Sequence, residues 1–243
     1  MQVIKTILKR ELASFFNSST AYVVLVIFLV LQGFFTFYVT RLYEAGQADL
    51  QPFFNWFPWI FLFLIPAVTM KLFSDETRTG TIELLATLPV TTKEIVLGKF
   101  FAGWLFAAIA AACTFPVVIT ILYLGDPDTG AILSGYSGTI LMAGAFTSIG
   151  LFSSSITKSQ VISFLSAITI SLFLLLAGHP PVIEALSGFC PDTLVNMVAG
   201  MSFLTHYNSM TIGVLDLRDI IYFFSIIIFM LSATTLIVNS NRN

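Results

Sequence analysis

Long apolar stretches without charge dominate the chain and predict membrane-spanning helices. Six stretches contain no Asp, Glu, Lys or Arg, and each reaches the roughly 20 residues that a helix needs to cross a hydrocarbon core of about 30 Å. We therefore predict an all-α, polytopic membrane protein with six transmembrane helices. The predicted spans lie at about 20–40, 53–70, 100–124, 132–156, 160–178 and 220–239.

Two segments outside these spans mix polar and apolar residues, and we expect both at the membrane surface. Residues 1–17 carry apolar side chains at helical spacing with basic residues between them, which predicts an interfacial helix followed by a polar corner at Asn17–Ser19. Residues 193–215 contain only short apolar pieces, so we predict short re-entrant helices that enter the outer interface before the last span. The alternative is a seventh span through 193–215, which would move the C-terminus to the other side of the membrane. The apolar face of the N-terminal helix comprises Ile4, Ile7, Leu8, Leu12 and Phe15.

Composition agrees with a membrane protein and gives its orientation. The 243 residues are 57% hydrophobic and 10% charged, whereas a soluble domain is about 25% charged. A net charge of −2 without a basic block argues against nucleic-acid binding. Six spans place most basic residues on the side of the two termini, so we expect both termini in the cytoplasm. The basic residues on that side are Lys5, Lys9, Arg10, Lys71, Arg78, Lys93, Lys99, Lys158 and Arg242, against Arg41 and Arg218 on the other.

The predicted cytoplasmic loop 71–99 concentrates charge around a short apolar helix. Ile82, Leu85 and Leu88 form one face of a helix that begins near Thr81 and that Pro89 ends. A carboxylate in the first turn, such as Glu83, suits the helix dipole. This arrangement predicts a helix–turn–helix beneath the membrane that presents apolar and charged groups to a cytoplasmic partner; an ordinary solvated loop is the alternative.

The residues after Pro89 predict the start of the third span. Thr91 and Glu94 have the spacing of a capping box, which opens a helix that runs through Lys99. Within that span, small residues recur one turn apart and predict close helix–helix contacts. The small-residue positions are Gly103, Ala107 and Ala111 in the third span, and Gly144 and Ser148 in the fourth.

Three motifs resemble one transporter family. The loop reads Asp75-Glu76-x-Arg78-x-Gly80-Thr81-x-Glu83-x-Leu85-x-x-x-Pro89 and resembles the signature after the second span of the type 2 permeases of ATP-binding-cassette exporters. The N-terminal run Lys9-Arg10-Glu11-Leu12-x-x-Phe15-Phe16 and the outer motif Gly213-Val214-x-Asp216-x-Arg218-Asp219 are also similar to that family. Within it, the short chain looks closest to the permeases associated with gliding motility and with copper-enzyme maturation.

The resemblance implies a single permease domain over 1–243 in a bacterial cytoplasmic (inner) membrane, in contact with membrane lipid. It implies an exporter of two permease subunits, identical or different, and two separate ATPase subunits. The loop helix would dock into the ATPase, and ATP and Mg²⁺ would be bound there, with no cofactor, metal or catalytic residue in this chain. The ATPase-coupling residues would be Asp75, Glu76, Arg78, Gly80, Thr81, Ile82, Glu83, Leu84, Leu85, Leu88 and Pro89.

The sequence lacks the phosphate-binding loop of an ATPase. Such a loop needs the pattern G-x-x-x-x-G-K-[ST], in which backbone N–H groups hold the phosphates. The Gly98–Lys99 pair has Lys93 where the first Gly is required and Phe100 where Ser or Thr is required. We therefore predict that the chain is not an enzyme and that its energy comes from another chain or from a gradient.

Two other functions fit parts of the sequence. Gly135-Tyr136-Ser137-Gly138 resembles the G-x-S-G of rhomboid-type intramembrane proteases, with His179 or His206 as a base, but neither histidine lies within a later span. A gradient-driven carrier or channel usually places ionisable groups in its spans, and the predicted spans contain only Gln32, Gln160 and hydroxyls as polar handles. Both alternatives are therefore weaker than the permease.

Overall fold

A computed structural model describes residues 2–42, 44, 48–80, 90–189 and 191–240. These residues are helical or irregular and include no strand, in agreement with the predicted all-α class. The helices are α1 (Gln2–Asn17), α2 (Ser19–Phe34, continued by a π-helical turn Phe35–Val39), α3 (Gln51–Phe54), α4 (Phe57–Thr69), α5 (Lys71–Thr79), α6 (Thr92–Ala112), α7 (Phe115–Leu124), α8 (Thr129–Ile156), α9 (Gln160–Leu176), α10 (Pro180–Ser187), α11 (Asp192–Ala199), α12 (Phe203–Thr211) and α13 (Leu217–Ser240).

Several of these helices are long and apolar enough to cross a membrane. Within the described residues there are five such stretches, or six if α9 and α10, which meet at a bend of 75°, form one broken span. The coarse prediction of a multi-pass membrane protein is therefore confirmed, while the assignment of six spans stays a prediction. The five stretches are Ser19–Val39, Gln51–Thr79, Thr92–Leu124, Thr129–Ile156 and Leu217–Ser240.

The beginning of α6 and the end of α13 lie at the same end of the helix bundle. The Thr92 hydroxyl and the Asn239 carboxamide lie 3.5 Å apart. The Gln160 carboxamide at the start of α9 donates to the Asp75 carboxylate of α5. We call this end of the bundle the loop end, because Gly80 and Val90, the residues that flank 81–89, also lie in it.

The opposite end of the bundle is closed by hydrogen bonds between different spans. The indole N–H of Trp56 donates to the Thr40 hydroxyl at 2.9 Å, which ties the end of the first span to the beginning of the second. The Ser134 hydroxyl of α8 donates to the backbone carbonyl of Met210 in α12 at 2.7 Å. The chain therefore runs alternately between the two ends, as a sequence of spans requires.

Small residues let the central helix α8 approach its neighbours closely. Helix α8 packs against α4, α6, α9, α12 and α13, and most of its residues are buried. Gly150 lies against the Thr69 side chain, where an added Cβ would overlap the hydroxyl oxygen, and a Cβ on Gly103 would lie 2.9 Å from Cγ2 of Thr147. The predicted role of the small-residue positions in helix contacts is thus confirmed for Gly103, since association of apolar helices in lipid depends on such packing.

Helix α1 is separate from the first span, and its apolar face packs against protein. Gly98 of α6 lies under the Ile7 side chain, and the rings of Phe15 and Phe106 are 5.7 Å apart. The Ser18 hydroxyl accepts from the Thr20 backbone N–H, which confirms the polar corner. We expected this face to lie on lipid; at Ile7 and Phe15 it instead contacts α6, and the position of α1 relative to a membrane stays a prediction.

The helices around the predicted loop are longer than the predicted spans. Helix α5 continues the second span to Thr79, nine residues beyond the predicted end at 70, because nothing between Met70 and Thr79 interrupts the helix. Helix α6 begins at Thr92, and Thr91 and Glu94 form both bonds of the predicted capping box. The loop is therefore flanked on both sides by helical continuations of spans.

The stretch before the last span forms two short helices, α11 and α12, in agreement with the short helices predicted for 193–215. Helix α12 packs against α8 and α9, and Phe203 and Tyr207 are fully buried. How deeply these helices enter a membrane stays a prediction.

Candidate functional site

The predicted coupling segment lies only partly within the described residues. Asp75, Glu76 and Arg78 are in the last two turns of α5, and Gly80 follows that helix. Outside the described residues lie Thr81, Ile82, Glu83, Leu84, Leu85, Leu88 and Pro89.

Local chemistry explains the end of α5. Gly80 has φ +73°, in the left-handed region that side chains with a Cβ rarely adopt, and it ends the helix there. Arg78 lies in the last turn, where a cation suits the helix dipole, and its guanidinium is 3.4 Å from the Asp75 carboxylate. Asp75 and Arg78 therefore form an ion pair one helical turn apart at the end of α5.

A buried lysine, Lys99, lies next to this segment. Only 1% of its side chain is exposed, and its ammonium group donates to the backbone carbonyl of Leu72 at 2.6 Å. The same group lies 2.8 Å from a carboxylate oxygen of Glu76 and 3.2 Å from one of Glu11. Because α1 supplies Glu11, α5 supplies Leu72 and Glu76, and α6 supplies Lys99, one cation connects three helices.

Arg10 completes this group of charges. Its guanidinium lies 2.6 Å from Glu11 and 3.6 Å from Glu76, although 54% of its own side chain is exposed. The hydrogen bond to Glu11 raises the pKa of Arg10 above its ordinary value. We name Arg10, Glu11, Glu76 and Lys99 the inner ion cluster.

The charge balance of the cluster keeps Glu11 ionised. Burial raises the pKa of Glu11, but the charge of Lys99 and the hydrogen bond and charge of Arg10 outweigh it, so the pKa is lowered from its ordinary 4.5. Two carboxylates and two cations then balance in a weakly hydrated position. Removing either cation would leave a carboxylate without compensation, which is far more costly than removing a whole pair.

The sequence contains a signal that Lys99 faces other helices. Gly103, Ala107 and Ala111 follow Lys99 at intervals of four residues, so the lysine extends the small-residue face that was predicted to contact other helices. A basic residue on such a face needs carboxylate partners. The partner Glu11 could not be chosen from the sequence, because 88 residues separate it from Lys99.

A cavity of about 350 Å³ adjoins the inner ion cluster. Its walls include Glu11, Glu76 and Lys99, together with the hydroxyls of Ser14 and Ser18 from the corner between α1 and α2. The space lies between α1 and the helices α4 and α5. Three of the four members of the inner ion cluster therefore also line this cavity.

The outer motif forms a turn and a helix start at the opposite end. Gly213 has φ +94° after α12. The Asp216 carboxylate accepts from the backbone N–H of Arg218 at 2.9 Å at the start of α13, while the Arg218 side chain is exposed. Asp219 is 7% exposed, so it is the motif residue that faces the protein interior.

Asp219 is held by residues of α12 and α13. Nδ1 of His206 lies 2.6 Å from one carboxylate oxygen, and the Ser209 hydroxyl donates to the other. The His206 ring stacks on Tyr222 with centroids 3.9 Å apart. The sequence suggested His206 as the base of a protease, and its pairing with Asp219 was not foreseen.

The geometry does not support the intramembrane protease. The Ser137 hydroxyl donates to the Ser134 carbonyl of its own helix at 2.8 Å. Both ring nitrogens of His206 have other partners, Asp219 and the Gly200 carbonyl. In the described structure no histidine therefore pairs with Ser137.

The polar handles considered for a carrier also have structural partners. Nε2 of Gln32 donates to the Phe53 carbonyl at 2.9 Å, and Gln160 donates to Asp75. The predicted spans hold no charged residue, but the longer helices of the structure bring Lys99 and Asp219 into buried positions at their ends. Lys99 is paired with Glu11 and Glu76, and the Asp219 carboxylate contacts His206 and Ser209, so both groups have structural partners within the chain.

Comparison with known proteins identifies the family. The family model described as ABC-2 family transporter protein matches residues 6–194, well over half of the chain. No curated protein matches the chain. Permeases of this family are membrane components of ABC transporters, are not themselves catalytic, and work with an ABC ATPase subunit. The chain therefore belongs to the ABC-2 transporter family, as a multi-pass membrane permease component of an ABC transporter.

Proposed function

We propose that this chain is the permease of an exporter that is driven by a separate ATPase through the segment 71–99. ATPase closure displaces the segment between Gly80 and Thr91, and the displacement passes into α5 and α6. The observation that carries the proposal is that both ends of this segment are fixed to span helices, by the left-handed Gly80 and by the Thr91–Glu94 capping box.

The inner ion cluster supports this mechanism. Lys99 joins α5 and α6, the two helices that receive the displacement, and adds α1 through Glu11. A buried, fully paired charge resists separation of its partners, since an unpaired charge there would be costly. The three helices therefore move together, with α1 as part of the moving unit.

The remaining parts of the proposal extend the family assignment. The end of α5 leads into the coupling helix and contains Asp75, Glu76 and Arg78, followed by Gly80. The helix predicted from Thr81 to Pro89 contacts the ATPase through Ile82, Glu83, Leu84, Leu85 and Leu88. ATP and Mg²⁺ bind to that partner, and two permeases pair with two ATPases. The loop end faces the cytoplasm of a bacterial inner membrane, because most basic residues of the chain lie on that side. We also propose that the chain is most similar, within the family, to the permeases associated with gliding motility and with copper-enzyme maturation.

Affinity purification of the tagged chain from its native membranes tests the proposal. We expect an ABC ATPase to co-purify, and we expect Glu83→Lys with Leu85→Asp to abolish co-purification and nucleotide-dependent transport. A matched control is Lys93→Glu, which changes an exposed charge in the first turn of α6, two residues beyond Thr91.

Two results would contradict the proposal. One is an ATPase that binds and drives transport equally well with the double variant. The other is the purified chain transporting in vesicles without any ATPase. Equal elution profiles of the variants on gel filtration show that a loss of binding is not a loss of fold.

A further inference from the structure

A polar cavity of about 540 Å³ lies at the opposite end of the bundle, away from the inner ion cluster. Its walls come from three parts of the chain: the beginning of the second span, the break between α9 and α10, and α12. None of the residues in these walls is Asp, Glu, Lys or Arg. It differs in this respect from the cavity at the loop end.

The break between α9 and α10 shapes one wall of the cavity. The two helices meet at 75°, and Gly178 at the break lies so close to α12 that a Cβ would be 2.5 Å from the Thr205 hydroxyl oxygen. Irregular backbone within a membrane protein is tolerated where it is buried or lines a polar cavity. The break itself lines the cavity with Gly178, His179 and Pro180.

Several hydrogen-bonding groups in the walls are uncommitted. The carboxamides of Gln51, Asn55 and Asn208 make no side-chain hydrogen bond within the described residues, and the indole N–H of Trp59 makes none there either. The other two indoles do: that of Trp56 donates to Thr40, and that of Trp104 donates to a backbone carbonyl at 2.7 Å. Trp59 is half-buried: it packs against the hydrophobic core and also lines the cavity.

We propose that this cavity binds a neutral saccharide, either as the headgroup of a glycolipid or free in solution. A carboxamide both donates and accepts, as a hydroxyl does, so three carboxamides and one indole N–H match several sugar hydroxyls. The indole face of Trp59 offers an apolar surface to the C–H face of the ring. The walls hold no Asp, Glu, Lys or Arg, so a charged headgroup would lose its hydration with only the His179 imidazole to face it, which disfavours it.

Lipid nanodiscs prepared without glycoside detergents test this proposal, because maltoside or glucoside detergents would themselves occupy such a site. The probes are monoglucosyl diacylglycerol with diacylglycerol as its control, and maltose in solution. The readout is intrinsic tryptophan fluorescence. We expect a saturable change with the glucosyl lipid or with maltose, and none with diacylglycerol. A response to the glucosyl lipid alone indicates that the site accepts a glycolipid headgroup, and a response to maltose indicates that it accepts a free saccharide.

Variants locate the binding. Trp59→Phe keeps an aromatic ring and should abolish the fluorescence change, while Asn208→Ala should weaken binding about fivefold through one lost hydrogen bond. The matched control is Asn196→Ala, which replaces an exposed asparagine of α11 outside the cavity walls and should bind like the unaltered chain.

Three outcomes would overturn the proposal: no response to either sugar, a response that persists in Trp59→Phe, or equal binding of anionic phosphatidylglycerol or of a neutral peptide amide. Unchanged thermal midpoints of the variants exclude misfolding as the cause of any loss. The ATPase proposal does not depend on these results, since it concerns the other end of the bundle.

Discussion

Replacing Lys99 by Met tests how much the inner ion cluster contributes to the stability of the protein. Methionine keeps the apolar stem but removes the ammonium group that contacts Leu72, Glu76 and Glu11 at 2.6, 2.8 and 3.2 Å. The variant leaves the two carboxylates facing each other with only the partly exposed Arg10 to compensate them.

The expected cost follows from burial. Breaking a buried ion pair by removing one partner costs about 3–5 kcal/mol, and the lower end applies here because Glu11 and Glu76 keep 13% and 18% of their side chains exposed. We therefore expect Lys99→Met to lower the free energy of unfolding by about 3 kcal/mol. Adding Glu11→Gln and Glu76→Gln should restore more than half of this loss, because no carboxylate is then left without a buried cation, and Arg10, which loses its partners, is 54% exposed to solvent.

Unfolding in mixed micelles titrated with dodecyl sulfate measures these free energies. Lys93→Met is the matched control, since Lys93 is an exposed lysine in the first turn of the same helix and should cost less than about 0.5 kcal/mol. The reasoning is refuted if Lys99→Met is no more destabilising than Lys93→Met, or if the added Gln substitutions lower stability further.

Two more predictions concern packing and pH. Gly150→Ala should destabilise the protein by about 1–3 kcal/mol, because its Cβ would overlap the Thr69 hydroxyl. The control Gly33→Ala should not destabilise it, because the space around Gly33 is open. Equal unfolding midpoints of the two variants would contradict this prediction. Because the pKa of Glu11 is lowered in the folded protein, its contribution is complete above the ordinary pKa of 4.5 and is lost as the pH falls through the lowered value. The free energy of unfolding should therefore fall less between pH 7 and pH 3 in Glu11→Gln than in the unaltered chain. An equal fall in both proteins would show that Glu11 gains no such stabilisation.

Local features of the fold could be predicted from the sequence because they depend on neighbouring residues. Thr91 and Glu94 form a capping box wherever a helix begins between them, and the structure has both bonds. Ser18 caps the first span for the same reason. The ends of the spans were less predictable, because a charged residue such as Lys71 or Asp75 marks where lipid contact ends and not where the helix ends.

The charged and polar contacts of the two ends could not be predicted in the same way. Lys99 finds Glu11 and Glu76 across 88 and 23 residues, and His206 finds Asp219 only because a turn at Gly213 brings α12 against α13. Such pairs depend on how helices pack, which hydrophobic pattern alone does not determine. The small-residue face beginning at Gly103 did indicate that Lys99 would face protein, but not which carboxylate it would meet.

Photo-crosslinking from the segment between Gly80 and Thr91 tests the central claim most directly. A photo-crosslinking amino acid in place of Leu85 is activated in intact native membranes, with the same group at Lys93 as the control position. We predict a covalent adduct between position 85 and an ABC ATPase, and no such adduct from position 93. An adduct of position 85 with lipid alone, in membranes where the transporter is active, would contradict the account.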